Sequence, residues 1–187
     1  MRIARILLLT AITGLAAVSS VGAQEPGKLG ITMGFPASIG VLWRVSDKVA
    51  IRPELALSGN SSESTSSSFE SEADGWTIAT GASVLFYLNT YDNLRTYFTP
   101  RFTYSRLSTT SESDGPFTNP TTTTTGNSVG ATGSFGAEYS LGNKFAVFGE
   151  AGFGFSRAST TSSSTAAAKV TGTSWGTRAG VGVIFFP

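Results

Sequence analysis

KFAVFGEAGFGFSRAS, residues 144–159, alternates bulky and small side chains over sixteen positions and sets one carboxylate, Glu150, amid phenylalanines. Phe145, Val147, Phe153 and Phe155 fall on one parity; Ala146, Phe148, Glu150, Gly152 and Gly154 fall on the other. A period of two is the signature of a strand with two different faces. The fold depends on which face points outward.

The same period recurs along the chain. Eight strands are predicted near residues 28–36, 39–46, 49–58, 75–88, 94–107, 128–140, 145–157 and 171–186, and nothing reads as an amphipathic helix. The last strand is the plainest, with Trp175, Thr177, Ala179, Val181, Val183 and Phe185 on one face and Ser174, Gly176, Arg178, Gly180 and Gly182 on the other. Connections alternate in length. SDK (46–48), NTYDN (89–93) and LGNK (141–144) are turn-like, whereas residues 60–75, 108–127 and 160–170 form long Ser/Thr-rich connections. An up-and-down meander then carries its tight turns at one end and its long loops at the other. Those loops are too polar to build a core and are expected to be mobile near their tips. Glu63, Glu70, Glu72 and Asp74 make the first of them acidic without the spacing of a calcium loop.

Eight antiparallel strands hide their edges by closing into a barrel. An eight-stranded interior is just wide enough to be filled by side chains, and the bulky face carries some fourteen aromatic rings, too many for it. The opposite face, crowded with Gly, Ser and Thr, suits the inside. Trp76 and Phe86, Phe145 and Phe155, and Trp175 and Phe185 are each ten residues apart on the bulky parity. Ten residues of a strand tilted by about 40° rise about 25 Å, the height of the apolar band of a membrane barrel between its aromatic girdles. Trp43, Trp76, Phe86, Phe145, Phe155, Trp175 and Phe185 are therefore expected to form a lipid-facing girdle. The competing architecture, a soluble secreted barrel, would turn the same face inward.

Parity then sends Arg44, Arg52, Glu54, Arg101, Glu138, Glu150 and Arg178 into the lumen. An unpaired buried charge is costly, so a salt-bridged plug is expected, with Glu150 diagonal to Arg178 if Phe145 lies level with Phe185. The alternative is a set of separate, hydrated charges in a wet lumen. Pro53 and Pro100 fall inside predicted strands, where each removes a ladder donor; bulges or shifted strand ends are expected there.

Composition narrows location and chemistry. MRIARILLLTAITGLAAVSSVGAQ has the charged, apolar, small-residue order of a secretory signal, with cleavage expected after Ala23. This divides the chain into a signal peptide over 1–23 and one domain over 24–187. Without Arg2 and Arg5 the 13 basic residues become 11, against 12 acidic, for a net charge of −1, so nucleic acid is not an expected partner. No cysteine is present, so the fold must hold without disulfides. There is no histidine either, which removes imidazole catalysis and histidine metal ligation. Hydrophobic residues make up 40% and charged residues 13%, about half the charged share of a soluble domain.

With its signal, eight strands, tight turns at one end, inward charges and the aromatic-ending WGTRAGVGVIFFP (175–187), the chain resembles the small eight-stranded outer-membrane barrels of Gram-negative bacteria, the OmpX-like proteins and the transmembrane domain of OmpA-like proteins. The resemblance implies an all-β, antiparallel, up-and-down transmembrane barrel in the outer membrane, in contact with its lipid and lipopolysaccharide, delivered by the outer-membrane assembly machinery, and monomeric. It implies a non-enzymatic protein without cofactor, metal or catalytic residues, displaying Ser/Thr-rich loops for surface display, adhesion or envelope integrity. A small-conductance channel is the alternative, followed by a lipid-modifying enzyme.

Overall fold

The computed structural model describes residues 29–36, 38–66, 69–114, 120–163 and 169–187; the expected signal peptide and cleavage site lie outside them, as do the tips of the three long connections. Eight strands close into one antiparallel up-and-down barrel: β1 (Leu29–Phe35), β2 (Ser38–Arg44), β3 (Val49–Ser66), β4 (Phe69–Tyr91), β5 (Leu94–Asp114), β6 (Thr121–Ser140), β7 (Phe145–Ser162) and β8 (Lys169–Phe185). No helix among the described residues is long and apolar enough to cross a membrane. Crossing is left to strands, each of whose backbone groups a closed barrel can pair.

The register gives the barrel its shape. The ladder runs from Thr32 through Gly40, Glu54, Gly81, Thr103, Gly130 and Ser156 to Ser174, yet Thr32 pairs on its other side with Ile184. Closure therefore staggers the sheet by ten residues (184 − 174). With strands about 4.8 Å apart and about 3.3 Å per residue, eight strands at this stagger tilt by about 40°. Apart from Glu54, every member of that inward-facing row is small, which is what lets so narrow a barrel close.

Two expectations need correction. The long connections are largely strand rather than loop: β3 and β4 pair out to Ser66↔Phe69, β5 and β6 to Glu112↔Thr121, and β7 and β8 to Thr161↔Lys169. Threonine favours pleated backbone, and where both faces are wet no hydrophobic alternation marks the strand. Neither proline makes a bulge. At Pro53 the β2–β3 ladder lapses between Gly40↔Glu54 and Trp43↔Ile51, and at Pro100 the β4–β5 ladder lapses between Ser83↔Arg101 and Phe86↔Phe98. Register is unchanged across both gaps, so each missing donor costs a local ladder break and no more. The one register shift in that ladder falls between Tyr87 and Asn89, beside the tight turn where Asp92 takes a left-handed φ of 47°, a conformation Asp tolerates better than most residues.

Candidate functional site: the charged floor of the lumen

The bulky face points outward. Trp43, Trp76, Phe86, Phe145, Phe155 and Trp175 are all exposed, Trp175 by 74%, and Phe185 is half-buried against Phe145 with ring centroids 5.1 Å apart. Trp175 stands level with Phe155 and Phe145 with Phe185 in the β7–β8 register. A continuous apolar exterior bounded by aromatic rings suits acyl chains between two interfaces and has no place on a solvated surface.

Inside, the lower half of the barrel is filled and the charges fall into two groups. In the first, nearer the tight turns, Arg44 forms an ion pair with Glu138 and stacks on Phe186, its guanidinium carbon 4.6 Å from the ring centroid. The Tyr87 hydroxyl donates to Glu138 at 2.9 Å, and Arg95 lies over the Tyr87 ring. In the second, higher group, Arg52 is fully buried. Its Nη2 donates to Glu150 Oε1 at 2.6 Å, and its Nε lies 2.9 Å from Glu54 Oε1. That second contact is close but off-line, an ionic contact rather than a directed hydrogen bond. Arg101 reaches from β5 to Glu54 at 3.3 Å and to Glu150 Oε2 at 3.1 Å, and Tyr97 donates to Glu150 Oε1 at 2.9 Å. Glu150 thus accepts from three donors on β3 and β5, across the lumen from its own strand. Leu42, Ala50, Leu85, Ala146 and Ile184 are buried with the charges and keep water from them.

The structure brings together six of the seven charged residues expected in the lumen: Arg44, Arg52, Glu54, Arg101, Glu138 and Glu150. Arg178 stands apart. It is exposed and forms no ion pair among the described residues. It is diagonal to Glu150 in register, since Glu150 faces Gly180, but both Glu150 oxygens are already engaged by residues of the opposite wall. The expected Glu150–Arg178 pair does not form.

Sequence reasoning missed the aromatic partners, Tyr87, Tyr97 and Phe186, and the bracing role of Phe148, whose ring lies 4.9 Å from the Arg52 guanidinium carbon. Tyr97 shares the parity of Arg101, which was a usable signal, but Tyr97-Phe98 and Phe86-Tyr87 are adjacent aromatics and blur the alternation. Two of these inward rings rest on a cross-strand glycine. A Cβ on Gly136 would lie 2.5 Å from the Tyr97 ring, and one on Gly182 would lie 2.5 Å from that of Phe148. These glycines are cross-strand neighbours of the rings they admit, and no larger residue fits without moving the ring off its charged partner.

No family model matches the chain, and no curated protein matches it in sequence. Its likeness is to solved structures of outer-membrane proteins. A major outer membrane protein of Thermus thermophilus superposes with a TM-score of 0.56 at 11% identity, covering 84% of this chain and 98% of that one. CarO2 of Acinetobacter baumannii gives a TM-score of 0.46 at 14% identity over 89% of this chain and all of the other. Ail, the attachment invasion locus protein of Yersinia pestis, gives 0.35 at 11% over 84% and 93%. The chain has the fold of a bacterial outer-membrane β-barrel.

Proposed function

We propose that this barrel is a closed, non-enzymatic scaffold of the outer membrane that holds three Ser/Thr-rich β-hairpins outside the cell for surface display, adhesion or envelope integrity. The observation that carries the reading is Arg52, fully buried at the barrel centre and tied to Glu54 and Glu150, with Arg101 completing the crossing. Ions would have to break paired, desolvated charges to pass. Such a plug gives rigidity rather than flux, and a rigid barrel is a good base for hairpins that extend as ladders beyond the outer aromatic ring. The absence of histidine from the whole sequence and the engagement of both oxygens of Glu138 and of Glu150 by arginines and tyrosines support a non-enzymatic role, because neither carboxylate has an oxygen left open to a substrate.

Planar-bilayer recording of the refolded protein tests closure. No stable single-channel current is expected at moderate voltage; a reproducible unitary conductance would replace the scaffold with the small channel. Lipid profiling of membranes with and without the protein tests the catalytic side. Unchanged lipid A and phospholipid are expected, and a new acylation pattern would revive the lipid-modifying enzyme.

A further inference from the structure

β1 and β2 have seven residues each, whereas β3 has 18 and β8 has 17. The β1–β8 ladder ends at Phe35↔Val181 and the β2–β3 ladder at Ile39↔Leu55. Beyond those pairs β8 is joined only to β7 and β3 only to β4, and no ladder links β8 to β3 among the described residues. The wall is therefore notched above the β1–β2 hairpin.

The notch lies at membrane depth. Trp175, in the outer girdle, is six residues above Val181, and Trp76 pairs with Gly59, four above Leu55. At about 2.5 Å of height per tilted residue, the notch occupies about 10–15 Å, the outer half of the apolar band. Unpaired strand edges are not tolerated against hydrocarbon unless they line a wet or filled cavity. Such a cavity is present. A space of about 400 Å³, in the size range of small-molecule sites, opens here between an outward rim that includes Phe35, Leu55 and Val181 and an inner wall that includes Arg101 and Arg178. Its floor is the charged plug.

We propose that the notch is a lateral binding site for one single-chain anionic amphiphile, a long-chain carboxylate, taken with its alkyl chain toward the outer leaflet and its head group on Arg178 and Arg101. Charge decides the sign of the head group: Arg101, Arg178, Glu54 and Glu150 line the cavity, both carboxylates are also paired with Arg52 buried beneath the floor, and Arg178 is the lining cation that forms no ion pair among the described residues. Volume decides the number of chains, since a multi-acyl lipid does not fit such a space. The polar half of the wall, with Thr103 and Ser128, suits a carboxylate, and the apolar rim suits methylenes.

The test uses full-length protein refolded in phosphatidylcholine vesicles and a diazirine-bearing stearate, with cross-links mapped by mass spectrometry. Saturable labelling of β1, β3 and β8 near Phe35, Leu55 and Val181 is expected, competed by palmitate but not by hexadecylammonium. Arg178→Gln should weaken competition by palmitate about tenfold, and Ala56→Trp, which fills the cavity without touching charge, should abolish site-specific labelling. Both variants are checked for the heat-modifiable band of the folded barrel. Labelling spread evenly around the girdle, equal competition by the ammonium or by a lysophospholipid, or a β3–β8 edge occupied by a second copy in cross-linked dimers would each overturn the proposal. Conductance plays no part in these readouts, so a failed plug and a failed notch give different results.

Discussion

Neutralising Glu150 with the near-isosteric Glu150→Gln asks whether the charges in the lumen act as one unit. Glu150 accepts from Arg52 at 2.6 Å, Arg101 at 3.1 Å and Tyr97 at 2.9 Å. A glutamine keeps one oxygen but turns an NH₂ toward donors and removes the charge. Hydrogen bonds to charged groups contribute about 1.5–3 kcal/mol against about 1 kcal/mol for neutral ones, and removing one partner of a buried ion pair costs about 3–5 kcal/mol. Arg52 retains Glu54, which argues for the lower end, about 3 kcal/mol, or roughly a hundredfold in the unfolding constant. Urea unfolding in vesicles, followed by gel mobility and tryptophan fluorescence, measures it. Arg52→Met completes a double-mutant cycle, in which the double variant should be at least about 1 kcal/mol more stable than additivity allows. A cost for Glu150→Gln below about 0.5 kcal/mol with no coupling would refute the plug and leave separate hydrated charges.

Gly136→Val should cost about 1–3 kcal/mol by displacing the Tyr97 ring, whereas Gly176→Val, whose Cβ meets nothing within 4 Å, should be close to neutral in the same unfolding assay. Brominated phospholipids should quench Trp76 and Trp175, most strongly with bromine near the carbonyls; unquenched emission from both would contradict an outward girdle. Replacing residues 61–74 by a two-residue turn should leave refolding and heat modifiability intact, because that hairpin pairs with solvated ladders above the girdle; loss of the folded band would show that the hairpin supports the barrel. The double variant Arg52→Ala/Glu150→Ala should carry a measurable ion current in planar bilayers where the parent carries none.

The strand count and the outward face were legible because a narrow barrel has only two environments, and side chains alternate between them with every residue. Phe145 and Phe155, Trp175 and Phe185 mark both interfaces, and Gly152, Gly154, Gly180 and Gly182 mark the lumen. The strand extensions over 60–66, 69–75, 108–114 and 121–127 were not legible. Their faces are both in water, and threonine-rich ladders there are held by backbone pairing that leaves no hydrophobic trace. Pro53 and Pro100 misled for a related reason: a ladder several strands long absorbs one missing donor without changing register.

From the sequence alone come the eight strands, the outward parity of the bulky residues and the list of inward charges, all local properties repeated at a period of two. Only the tertiary structure decided the partners. The ten-residue stagger carries β3 and β5 across from β7, so that Arg52, Arg101 and Tyr97 reach Glu150 while the diagonal neighbour Arg178 is left without it. It also decided that a short β1–β2 hairpin leaves the wall notched. Both depend on how far one strand is slid against the next around a closed ring, a quantity that no single strand carries.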